Sequence, residues 1–500
     1  MADVLIQNAT VITVDQNRRV FENGAVAISG DAIVAVGPSP EVLAVHRAPK
    51  VIDGRHRIVM PGMADLYAHS GCGMLKSLGD QLAGVGWWHL MDNIHLTYVT
   101  PRWWYVDSQL HAAERLRYGC SAILSQPGLS HARLDVPDHI LETARAFEDL
   151  GIRAGVIAGV PRSSPWQSRY ADLVNGRRVL KEVSPEQVMA TLEQVVADAY
   201  RHPSALVNFW VGTFLIGNPT LIDSEHPSNP FHSDQDIGYY LKQAERLQEI
   251  MKRYDTGYWA HCWGDGVTHA YDDGFRELLG PRTLLSHCTR LDDRSIEILA
   301  ETKTNVNHCP RARRLQMWHE TCRVVEMLEA GVNVGLGSDA PQLDRNCDPF
   351  MDMQMAIRVQ RRRFSDPGVL PVGTVLELST TNGYRALGLG SIGGSIEVGK
   401  KADVVIIDAR QPHLSPLTMP VHQLVYFGAG ADVEHVFVNG RHVVDRGRIT
   451  TINVDDLLDE ADEEMERLMS YPELNLRQLV GSPENIWRSP RISQTPLQTS

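Results

Sequence analysis

Short apolar runs rich in β-branched residues alternate with amphipathic stretches across the middle of the chain. The clearest lie between Thr256 and Pro341: TGYWAHCW, TLLSHCT, TNVNHC and GVNVGLGSD. Helical periodicity separates them, over Asp292–Glu301 and Glu320–Glu329. Strands alternating with helices predict βαβ units and a parallel sheet. Upstream, an apolar strand within Met60–Gly73 opens at Pro61-Gly62 and closes in a Gly-rich loop. A helix over Ser108–Tyr118 stops at Gly119, and further strands are predicted at Cys120–Leu124, Ile152–Val160 and Ala205–Thr213.

The two ends of the chain follow another pattern. Val4–Asp15 and Val20–Val36 alternate apolar with polar residues, broken by Asn23-Gly24 and Gly30-Asp31, and Val51–Met60 turns at Asp53-Gly54. That period of two predicts antiparallel strands with one buried face. Ala402–Ile407, Val433–Val438 and Arg441–Val444 repeat it, the last two around Asn439-Gly440, a strong hairpin signal. The predicted fold class is α/β: a (β/α)8 TIM barrel, residues 56–380, inserted into a small β-sandwich built from residues 1–55 and 381–450. Residues 451–500 read as an acidic helix, Leu457–Met469, and an extended arm. Gly217–Asp236 is long, polar and Pro-containing, and reads as a lid holding His226 and His232.

The apolar runs end in His261, His287, His308 and Asp339. A lone histidine after a strand is ordinarily a satisfied polar residue. Several of them, one βαβ step apart and joined by a carboxylate, converge at the C-terminal mouth of a closed barrel, where active sites form. Imidazole nitrogens with one hard carboxylate suit a catalytic divalent metal. Trp87, Trp88, Trp103, Trp104 and Tyr105 cluster after the first strand; Trp87 and Trp88 are candidates to line an apolar substrate pocket.

Composition narrows the partners. A net charge of −13 over 500 residues disfavours nucleic-acid and anionic-membrane surfaces. The expected partner is a small molecule. Seven cysteines without a CxxC pair, several inside apolar runs, point to a reducing cytoplasm. The N-terminus lacks the basic start of a signal peptide, and no run is long enough to span a bilayer. The aromatic segment and the C-terminal arm point to a homo-oligomer.

Pro61-Gly62-Met63-Ala64-Asp65-Leu66-Tyr67-Ala68-His69, with His261, His287 and the Asp339 of LGSDAP, resembles the motif set of the amidohydrolase superfamily of metal-dependent hydrolases. His308-Cys309-Pro310 is similar to the seventh-strand segment of its cytosine-deaminase and triazine-hydrolase branch. Gly394–Asp403 is similar to the segment that re-enters the flanking sandwich. The resemblance implies one divalent ion per subunit on His69, His261, Asp339 and His287, with zinc expected first and cobalt, manganese or iron as alternatives.

Two positions depart from the family pattern. Tyr67 stands where its first histidine ligand is expected, and Gly264, followed by Asp265, stands where its general-base glutamate is expected. The resemblance leaves Asp339, His287 and Asp265 as candidates for proton transfer. Tyr67 and His308 are then expected to contact substrate. The altered set is similar to the branch holding molinate hydrolase and the phenylurea hydrolases. The primary expectation is therefore hydrolysis of a C–N or C–S bond in an apolar amide-, urea- or carbamate-like substrate. Deamination or dechlorination of a nucleobase-like ring is the alternative, and a metal-free scaffold the third.

Overall fold

The structure is a computed structural model that describes residues 2–78, 84–128, 133–159, 170–217, 237–312, 321–340 and 345–479. The predicted lid with His226 and His232, and the C-terminal arm, lie outside these residues.

The chain begins with β1 (Val4–Ile12), β2 (Val20–Ser29), β3 (Ala32–Pro38), β4 (Lys50–Asp53) and β5 (Arg57–Pro61). Eight parallel strands follow in one sheet: β6 (Met63–Ala68), β7 (Cys120–Ser125), β8 (Arg153–Gly159), and then, after a hairpin of β9 (Ala171–Val174) and β10 (Arg177–Leu180), β11 (Val207–Leu215), β12 (Tyr258–Trp263), β13 (Thr283–Thr289), β14 (Asn305–His308) and β15 (Val334–Leu336). The chain ends its sheets with β16 (Val404–Asp408), β17 (Val433–Val438), β18 (Arg441–Asp445) and β19 (Arg448–Ile449).

The eight parallel strands pair in chain order from β6 to β15. A bridge between Ala68 and Asp339, with Asp339 N–H donating to the Tyr67 carbonyl at 2.8 Å, brings the first strand back to the last and closes the barrel. Closure needs Gly337, since a Cβ there would lie 2.8 Å from the Tyr67 backbone nitrogen. The nine other strands form one mixed sheet in which β16 lies between β5 and β17, so both ends of the chain share it. A (β/α)8 barrel with a β-sandwich unit is thus the observed architecture.

The boundary between outer-sheet strand and barrel strand, read at Met60, falls at Gly62. β5 belongs to the outer sheet and β6 to the barrel, and Gly62 is the passage between them. A Cβ on Gly62 would sit 1.9 Å from Ser121 Oγ, so only glycine lets the chain cross there. The outer sheet packs on the start of the barrel strands. Gly119, before β7, faces Val405 and Val433, and Gly151, before β8, faces Val443. The far, C-terminal ends remain for the site.

Two other elements differ from their sequence reading. The helix expected from Ser108 starts at Pro101; Thr100 caps it by accepting from the Trp103 N–H. Trp103 and Trp104 are therefore its fully buried first turn. The β9–β10 hairpin, absent from the sequence reading, turns at Asn175-Gly176, both with positive φ. All seven cysteines are buried and free. Among the described residues no helix is long and apolar enough to cross a membrane.

Candidate active site at the barrel mouth

The ends of β6, β12, β13 and β15 hold the predicted residues. His69 follows β6 and directs Nδ1 to the Gly128 carbonyl at 2.5 Å. His261, within β12, directs Nδ1 to the Phe214 carbonyl at 2.7 Å. A carbonyl only accepts, so each Nδ1 carries the proton and each Nε2 keeps its lone pair. That is the tautomer of metal-binding histidines anchored from behind.

The Nε2 of His69 lies 3.4 Å from Asp339 Oδ1. Two lone-pair atoms facing each other at this separation call for a cation between them, and the spacing matches the edge of a tetrahedral site with bonds of about 2.1 Å. Asp339 is half-buried, its side chain 18% exposed. Burial alone would raise its pKa, but the adjacent His69 and the nearby His287 and Arg345 outweigh it and hold the carboxyl well below the usual range. The Arg345 guanidinium lies 3.5 Å from Asp339 Oδ2 and donates to the Ser338 carbonyl.

His287 ends β13 in a left-handed backbone, φ 73°, and its ring stacks on His261 at 5.2 Å between centroids. Asp339 is also left-handed, φ 61°. Strained backbone of this kind persists where the surroundings over-determine it, commonly at reacting sites. Burial and the neighbouring His287 keep His261 neutral.

Tyr67 occupies the centre of the group. Its ring stacks on Trp259 at 4.9 Å and meets His69, His261 and His287 edge-on at 4.7, 5.3 and 5.6 Å. Its hydroxyl lies 2.6 Å from His261 Nε2 and 3.2 Å from Gln126 Oε1. The phenol therefore holds the lone pair that a metal would use on His261. In Tyr67→Phe the phenol's hydrogen bond is lost, whether to His261 or to a bound substrate, at a cost of about 1–3 kcal/mol. We expect kcat/KM to fall roughly five- to a hundred-fold with metal content unchanged; loss of the metal itself would instead make Tyr67 a ligand.

His308 ends β14 fully buried, and among the described residues neither ring nitrogen has a hydrogen-bond partner. Burial, with His287 nearby, pushes its pKa down to about 3. Asp265 lies apart: it is exposed at the start of the helix Gly266–Asp272, and no described contact joins it to the histidines. Gly264 turns with φ 54°. Trp87 is buried in the main apolar core; the Trp88 side chain lies outside the described residues. Gln126, Trp259, Arg345 and the two anchoring carbonyls were not read from the sequence. Only Gln126, the polar residue closing the apolar run of β7, carried the strand-end signal that marked the histidines.

An amidohydrolase family model matches residues 237–443. A 5-methylthioadenosine/S-adenosylhomocysteine deaminase of Syntrophobacter fumaroxidans is 29% identical over 92% of this chain and 96% of its own length. A 5'-deoxyadenosine deaminase of Methanosarcina acetivorans is 28% identical over 94% and 99%.

These likenesses support membership of the amidohydrolase superfamily. The expectation of a hydrolase acting on non-peptide carbon–nitrogen bonds stands with it. Solved structures in the same fold include a zinc-bound adenosine deaminase from Xanthomonas campestris (21% identity, TM-score 0.78, covering 94% of this chain and 99% of that one). A mutant atrazine chlorohydrolase from Arthrobacter aurescens, complexed with zinc and atraton, is also similar (19% identity, TM-score 0.72, 92% and 100%).

Proposed function

We propose that this protein removes an exocyclic amino group from an adenosine-like nucleoside by hydrolysis. The observation that carries the reading is the full-length similarity to deaminases of 5'-modified adenosines, taken with the donor set at the barrel mouth. This replaces amide, urea or carbamate cleavage as the main reading.

His69 and Asp339 would hold a divalent ion, zinc first; His261 would join them only once the Tyr67 hydroxyl leaves its Nε2, and His287 stands next to them. Bound there, the ion supplies Lewis-acid polarisation and acidifies a water, whose pKa falls from about 15.7 toward about 7. Asp339, kept ionised, takes the proton of the attacking water as it adds to the ring carbon bearing the amino group. The same carboxyl returns a proton to the departing nitrogen, which leaves as ammonia. His287 hydrogen-bonds the polar edge of the ring, and His308 presents a nitrogen that is unpaired among the described residues.

One specific observation favours a second reading. Gly264 offers no carboxyl to protonate a ring nitrogen, and Asp265 is exposed. A carbonyl substrate of urea or carbamate type needs no such proton. The test is direct: the purified enzyme with zinc is given 5-methylthioadenosine, S-adenosylhomocysteine, 5'-deoxyadenosine, adenosine and a set of aryl ureas and thiocarbamates. Ammonia with the corresponding inosine-type product is the expected result. Cleavage of the ureas with inert adenosines overturns it in favour of the second reading.

A further inference from the structure

The hairpin of β17 and β18 carries a second set of converging donors. His435 Nδ1 lies 3.2 Å from His442 Nε2 and 3.1 Å from Asp445 Oδ1, and His442 Nε2 lies 4.0 Å from the same oxygen. Among the described residues this is the trio whose donor atoms all fall within 4.8 Å of one another. A tetrahedral zinc with bonds of about 2.0–2.2 Å separates its ligands by about 3.3–3.6 Å. The three observed separations straddle that length.

Hydrogen bonding alone does not settle this arrangement. His435 Nδ1 faces both other atoms, and a single proton on it satisfies one of them only. A proton on His442 Nε2 satisfies Nδ1 but leaves the Asp445 carboxylate against a nitrogen lone pair. Burial holds both rings neutral, with His442 lowered to about 4, which is the state a ligand needs.

The hairpin sets the geometry before any ion arrives. Asn439 and Gly440, both with positive φ, make the turn, and β17–β18 pairing fixes His435, His442 and Asp445 on adjoining strands. Phe437 stacks on the His442 ring at 4.3 Å and locks its plane. His435 and His442 are shielded, while Asp445 is partly exposed, so the trio has a solvent route.

Four charged groups surround it. Asp445 favours a cation directly. Glu434 lies 3.7 Å from His435 Nε2 and is shared with Arg57 at 2.5 Å. Lys50 contacts His442 Nδ1; on cation binding that nitrogen takes a proton, and the exposed Lys50 side chain turns to solvent.

We propose that His435, His442 and Asp445 form a second site for a divalent transition cation of the zinc class, separate from the barrel mouth. The outer sheet abuts the beginnings of the barrel strands, whereas His69, His261, His287 and Asp339 stand at their ends. Its donor pattern, two imidazoles and one carboxylate with a coordination position open to water, suits zinc, cobalt, nickel or copper rather than calcium or magnesium.

The test uses the full chain, stripped with chelator and titrated with zinc against a chromogenic competitor, then desalted for metal analysis. Wild type is expected to retain one more equivalent than His435→Gln/His442→Gln, and the double variant to keep its turnover within twofold. Asp445→Asn, a mild change at an exposed position, is the second variant, and should weaken the extra equivalent at least tenfold even if the double variant misfolds. Equal zinc content in wild type and variants overturns the proposal. So does loss of the extra equivalent in Asp339→Asn while the hairpin variants retain it, which would place both ions at the barrel. Failure of the deaminase assay leaves this metal count unaffected.

Discussion

Asp339→Asn is expected to lower kcat by about 10²–10⁴-fold, the range associated with a positioned proton-transfer group. The change removes the negative charge that faces His69 Nε2 and Arg345 and the base that accepts the water proton. Asparagine keeps the shape and tolerates the left-handed backbone at this position, so far-UV circular dichroism and the urea midpoint should stay near wild type. Steady-state kinetics on the substrate found by the ammonia assay provide the check. A kcat within threefold of wild type would remove Asp339 from the proton path.

The largest expected effect on stability lies one layer beneath the site. Asp65, on β6, accepts from Arg115 Nε at 2.8 Å, from the Ser338 N–H at 2.8 Å and from Ser338 Oγ at 2.6 Å. Arg115 in turn donates to Ser338 Oγ at 2.8 Å and is fully buried. This cluster ties the first barrel strand to the residue preceding Asp339. Asp65→Ala leaves a buried guanidinium without its counter-charge, a change that costs about 3–5 kcal/mol. Equilibrium urea unfolding should show that loss. A change below about 1 kcal/mol would mean that the clamp is dispensable.

The barrel was legible because its strands are buried on both faces and read as continuous apolar runs with a polar last residue. That one signal found His261, His287, His308 and Asp339. The outer sheet was legible from its period of two and its turn residues. The Tyr67 environment was not legible. Gln126, Trp259 and the carbonyls of Gly128 and Phe214 reach the site through chain closure, which brings residues from separate strands together without a local pattern. Asp65 was visible as part of a motif, but its partners Arg115 and Ser338 were not, because an ion pair across a barrel leaves no spacing to read. Asp265 shows the opposite: proximity in sequence to His261 did not carry it into the group, because the turn at Gly264 sends the chain outward into the next helix.

That corner constrains anyone who would graft a carboxylate back beside His261. An L-residue at position 264 inherits φ 54° and a conformational penalty of about 1–2 kcal/mol. Its Cβ would leave along the corner, 3.6 Å from an Arg290 guanidinium nitrogen, where a grafted acid meets a cation before it meets a substrate. Engineering a proton donor into this enzyme is therefore a task of recutting the loop that leaves β12 rather than of changing residue 264 alone.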